Sequence, residues 1–113
     1  MKPNFLKEWS DKQLKQVEKS IVKYIGSRYW ETHHSPAADP FIIANAKTYS
    51  AIDNILGLAY TSSSSYAGLW VCNTELYLDN AHKFKLIGFA LDSNSFVHAI
   101  FWDEQENEIS FPI

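Results

Sequence analysis

The residues most able to do chemistry are four carboxylates, Asp103, Glu104, Glu106 and Glu108, within the stretch FWDEQENEISF. Acid/base work would require one of them to be desolvated and its pKa raised, and a polar stretch between two strands is the wet end of a sheet. The run is therefore expected to be a surface and not a catalytic pair. His33 and His34, beside Glu31 and Asp39, are the first candidate metal cluster. Adjacent histidines in an extended loop point in different directions, and no third and fourth ligand follows at a recognised spacing. An exposed loop is expected there, with no metal. Cys72 and His98 fall on predicted strands, but WVCNT carries no nucleophile signature. Cys72 is expected to be a small buried hydrophobe. His98, sharing strand parity with Phe96, Ile100 and Trp102, is expected to be half-buried. Among only four glycines there is no phosphate loop, dinucleotide fingerprint or nucleophile elbow. No nucleophile–base–orienter set can be assembled from motifs, so neither hydrolase activity nor a cofactor is expected.

The elements that must position these groups follow from periodicity. The 113 residues, 46% hydrophobic and 15% aromatic, suit a single globular domain spanning 1–113. Ser10 and Gln13 form a capping box, and Leu14, Val17, Ile21, Tyr24 and Ile25 follow at helical spacing up to Gly26, read as the residue just past the helix. ETHHSPAADP is a connection; Asp39-Pro40 then starts one helix or two short ones to about Tyr60, with a break near Lys47–Ser50. After the serine run the period changes to two. Gly68–Leu78, Phe84–Leu91, Phe96–Trp102 and Glu108–Phe111 read as strands separated by DNAH, DSNS and DEQEN. The expected fold is α+β: an N-terminal helix and a second helical segment packed on one face of a four-stranded antiparallel β-meander.

Charge is unevenly placed. Residues 1–30 carry seven bases against three acids, whereas residues 86–113 carry five acids and no base, within a net charge of −3. Lys12, Lys15, Lys19 and Lys23 lie on the polar face of the first helix, where solvation explains them. Without arginine or aromatics on that face, and in an acidic chain, nucleic-acid binding is not expected. One cysteine suits a reducing compartment. No apolar run in the first thirty residues has the length of a signal peptide, and none elsewhere spans a membrane. A cytoplasmic protein is expected. Acids at a hairpin tip also guard a sheet edge, but four without one lysine exceed that need. Trp102 and Tyr77, with Phe101, supply the large apolar groups that anchor interfaces.

A small α+β chain with no enzyme motif and a concentrated acidic face, resting on Asp92, Asp103, Glu104, Glu106 and Glu108, resembles the bacterial immunity proteins of contact-dependent growth inhibition and related systems. The resemblance implies a non-enzymatic antitoxin whose protein partner is a basic nuclease-type toxin, occluded by phosphate-like charge. It implies a partner-binding set of Tyr77, Asp92, Trp102, Asp103, Glu104, Glu106 and Glu108. The alternative is a cystatin-like or nuclear-transport-factor-like cone that binds a small ligand or acts as an enzyme, with a pocket lined by Trp70, Phe89, His98 and Trp102.

Overall fold

The computed structural model describes residues 11–28, 30–32, 40–61, 65–78 and 83–113. The first helix, α1, runs Asp11–Gly26 and buries Val17, Ile21, Tyr24 and Ile25, the face its spacing predicts. Lys12, Lys15, Lys19 and Lys23 are on the exposed side. Gly26 is the last helical residue and not a left-handed cap, since Gly57 is the glycine with positive φ among the described residues. Ser10, His33, His34, Asp39 and the DNAH turn lie outside the described residues, as does the Glu31 side chain.

The second helical segment is two helices, α2 (Pro40–Asn45) and α3 (Tyr49–Leu56). The break falls where expected because Thr48 caps α3, its hydroxyl accepting the Ala51 N–H at 3.1 Å. Gly57 ends α3 in the left-handed conformation, φ 62°, and donates its N–H to the Asp53 carbonyl at 2.8 Å.

Among the described residues the sheet has seven antiparallel strands: β1 (Trp30–Thr32), β2 (Ala59–Thr61), β3 (Gly68–Val71), β4 (Leu76–Leu78), β5 (Lys85–Leu91), β6 (Val97–Trp102) and β7 (Glu108–Pro112). This is wider than the four-stranded meander expected. The hairpins β5–β6 and β6–β7 pair in sequence order. Gly68–Leu78, however, is not one strand. It breaks after Val71 because the chain there turns to the end of α3: Asn73 donates its backbone N–H to Leu56 O and its amide to Gly57 O, while the Thr74 hydroxyl reaches Ile55 O. The halves, β3 and β4, both pair with β5, and each gains an outer neighbour, β2 on β3 and β1 on β4. Ala59 and Tyr60, read as helix, are therefore strand, and Glu31 and Thr32, read as the start of a connection, belong with Trp30 to β1.

Register decides what each face shows. Leu86 lies opposite Phe101, Phe89 opposite Ala99, and Leu91 opposite Val97. All six sit in one core with α1, α3, Trp30, Trp70 and Leu76, so the helices cover that face. Trp30 is 1% exposed; its ring stacks on Phe101 with centroids 6.2 Å apart, and its indole N–H bonds the Ile25 carbonyl at 2.8 Å. Gly88 is required by a close approach, since a Cβ there would lie 2.0 Å from the Trp70 carbonyl oxygen. The opposite face carries Lys85, Gly88, Ala90, His98, Ile100, Trp102, Glu108 and Ser110.

Candidate functional site

The outer face of the sheet collects most of the chemistry-bearing residues. Tyr77 on β4, Lys85 on β5, Trp102 on β6 and Glu108 on β7 are successive cross-strand partners and form one row. Beyond that row the β6–β7 turn adds Asp103, Glu104 and Glu106. Tyr77, Lys83, Lys85, Trp102, Asp103, Glu104 and Glu106 line an open groove of about 330 Å³. Its rim is acidic, reinforced by Glu108 beside Trp102 and by Glu75, which accepts the Tyr77 hydroxyl at 2.5 Å. That bond is the chief reason the Tyr77 phenol titrates above its usual range. Trp102 is 38% exposed, an apolar platform between the lysine and the acids. Phe101, the neighbouring aromatic, points the other way into the core.

Asp103 has a different job from the three glutamates. Its Oδ1 accepts the backbone N–H of Gln105 at 2.9 Å and of Asn107 at 2.8 Å. Glu106 N–H bonds Asp103 O and Asp103 N–H bonds Asn107 O, which closes a three-residue loop with Glu106 left-handed at φ 62°. The β5–β6 loop is built identically. Asp92 Oδ1 accepts from Asn94 and Phe96, and Ser95 takes the left-handed position at φ 68°. Asp103 is thus a turn former first and a surface charge second, and Phe96, expected to begin β6, is a turn residue 64% exposed.

Both aspartates are held below the usual carboxylate range, Asp92 mainly by the bond with His98 and then by the Phe96 N–H, Asp103 mainly by the Asn107 N–H. A carboxyl depressed on folding adds stability above its unfolded pKa, near 3.8, and loses it as the pH falls through its folded value. The urea midpoint should therefore drop in acid. Between about pH 6 and pH 2.5 that drop should be smaller in an Asp92→Asn/Asp103→Asn double variant, whose amide oxygens still accept the turn bonds. An equal drop would remove the turns from the acid response. The left-handed residues give a second expectation. Ser95→Gly and Glu106→Gly should each raise stability by about 0.5–1 kcal/mol, since glycine adopts that conformation without the Cβ penalty. Chemical denaturation reads both, and a loss of stability in either would contradict the assigned strain.

At the far end of β6 lies a constellation that motif reasoning missed. His98 and Asp92 are diagonal neighbours on the outer face, with His98 Nε2 2.8 Å from Asp92 Oδ2. Ser110, opposite Ile100 on β7, is diagonal to His98 on the other side, with its Oγ 3.1 Å from Nδ1. Tyr66 lies alongside, its ring 6.3 Å from the imidazole and its hydroxyl 3.4 Å from Glu108 Oε2. Ile100 and Ala90, on the same outer face, are 1% and 0% exposed. Asp92 therefore belongs to this cluster and not to the acidic groove. The serine had one legible signal: within DEQEN, a three-residue loop at 104–106 sets a register that puts Ser110 on the face of His98.

The other sequence candidates separate. Trp70 and Phe89 face the helices, whereas His98 and Trp102 face outward, so these four do not line a common pocket. Cys72 is half-buried, its thiol pushed up to about 11 by burial, which leaves it protonated and a poor nucleophile. Among the described residues no three His, Cys, Asp or Glu side chains converge as a metal site, and no helix is long and apolar enough to cross a membrane. No family model matches this chain, and no curated protein or solved structure matches it either.

Proposed function

We propose that this chain is an immunity protein that neutralises a basic, nuclease-type toxin by occluding it, without turnover, in the cytoplasm. The observation that carries the reading is the row Tyr77–Lys85–Trp102–Glu108 continued by Glu104 and Glu106, an aromatic platform with acids along its β6–β7 side and lysines along the other, on the sheet face away from the helices. A nuclease cleft is positive because its substrate is anionic, so spaced carboxylates can take the phosphate positions while Trp102 and Tyr77 fill apolar space. Glu104, Glu106 and Glu108 make the charged contact; Asp103 shapes the turn that presents them. Lys83 and Lys85 at the groove edge restrict which acidic or basic groups a partner can place there.

The reading is tested by isolating a protein that binds the tagged chain from the same cells and assaying its cleavage of DNA and RNA with and without the chain. Stoichiometric inhibition of a basic nuclease supports it. A partner that is acidic, or a nuclease left active in the complex, overturns it.

A further inference from the structure

We propose that Ser110 is an activated nucleophile that accepts acyl groups from small esters, with His98 as its general base and Asp92 as the positioning residue. This rests on the outer-face cluster alone and is independent of toxin binding. An ionised carboxylate only accepts hydrogen bonds, so the 2.8 Å contact to Asp92 Oδ2 places the imidazole proton on Nε2. Nδ1 is then an unprotonated acceptor, 3.1 Å from Ser110 Oγ, the polarity a base needs to take the hydroxyl proton. The other Asp92 oxygen is tied to the Asn94 and Phe96 amides at 2.8 and 2.9 Å, which fixes the carboxylate and through it the ring. The constellation has the roles of a serine triad with the two imidazole nitrogens exchanged.

The strand supplies a donor as well. Asp103–Asn107 and Val97–Ile113 are hydrogen-bonded across the β6–β7 ladder, so the alternating pattern leaves Ile100–Ser110 a non-bonded pair. The Ser110 N–H therefore points away from β6 to an edge that, among the described residues, has no further strand. There it can meet the oxyanion that forms on a carbonyl attacked by Ser110 Oγ. Tyr66 stands beside the imidazole and its hydroxyl meets Glu108, while Ser110 is exposed on the sheet surface with no deep cleft around it among the described residues, so a small ester is the fitting substrate.

The steps balance. Ser110 Oγ forms a bond to the ester carbonyl carbon as His98 Nδ1 takes the hydroxyl proton. The tetrahedral adduct collapses, the C–O bond to the leaving group breaks, and the imidazolium returns the proton to the departing alcohol or phenol. Water, deprotonated by the same imidazole, then hydrolyses the acyl-serine and restores the hydroxyl.

The test is acetylation of the full chain by p-nitrophenyl acetate, followed by phenolate release and peptide mass mapping. The expected result is acetyl on Ser110, no such label in Ser110→Ala, and labelling slower by at least about tenfold in His98→Ala and Asp92→Asn. Asp92→Asn keeps the acceptor for the turn but donates to Nε2, reversing the tautomer, so it decides the matter even if His98→Ala fails to fold. The pH profile of the labelling rate should differ between wild type and Asp92→Asn, a difference that a purely structural role for Asp92 would not produce. Acetyl confined to lysine amines, neither acetyl-serine nor phenolate release beyond that of Ser110→Ala, or equal labelling of Ser110 in wild type and Asp92→Asn overturns the proposal.

Discussion

Replacing Glu104, Glu106 and Glu108 by lysine should lower the affinity for the partner by at least about a hundredfold, with most of the loss in the association rate. Three reversals change the charge of one small face by six, turning attraction into like-charge repulsion against a basic cleft. The fold should survive, because all three side chains are exposed and turn-tip charges add little to stability. Asp103 is left in place, since its carboxylate holds the loop through Gln105 and Asn107 and its loss would confuse a binding defect with a misshapen hairpin. Binding kinetics at two salt concentrations check this. Wild-type association should slow as salt rises and the triple variant should show little dependence, because exposed charges are screened beyond about 10 Å at 0.1 M salt. Trp102→Ala should act differently, costing about 2–4 kcal/mol mostly through faster dissociation.

The second large effect separates two tryptophans. Trp30→Ala should destabilise the chain by about 3–5 kcal/mol, whereas Trp102→Ala should cost less than about 1 kcal/mol. Trp30 is sealed between Phe101, stacked on it, and Tyr24, edge-on at 6.1 Å. Its removal opens a cavity, leaves the Ile25 carbonyl without its indole donor and loosens β1 from α1. Against a total of about 5–15 kcal/mol, such a loss brings a domain of this size close to unfolding. Urea denaturation of the two variants reads the contrast directly. Comparable midpoints would mean that the faces of the sheet have been assigned the wrong way round.

Long regular patterns were legible in the residues and short irregular ones were not. The 3.6 period of α1 persists over enough residues to define a face, and β5 and β6 are long, largely apolar runs whose turns DSNS and DEQEN mark. β1 and β2 are three residues each, too short for alternation to register, and they form because β3 and β4 leave edges open to them. The break between β3 and β4 follows from Asn73 and Thr74 capping α3, a contact across some sixteen residues that no local propensity encodes. At the site, the acids and Trp102 could be found by composition and parity, because exposure at a hairpin tip needs no distant partner. Asp is a common first residue of loops such as DSNS and DEQEN, but the count of loop residues whose amides each carboxylate holds depends on the strand register on both sides. Ser110 was passed over because serine on an edge strand is ordinary until the register places it beside His98.

Amide hydrogen exchange on the free chain and on its complex with the isolated toxin tests the central claim most directly, since it locates the partner without any substitution. Protection should appear across Trp102–Ser110 and at Tyr77 and Lys85, with α1 unchanged. Protection on the lysine face of α1, with the β6–β7 hairpin exchanging as in the free chain, would contradict it.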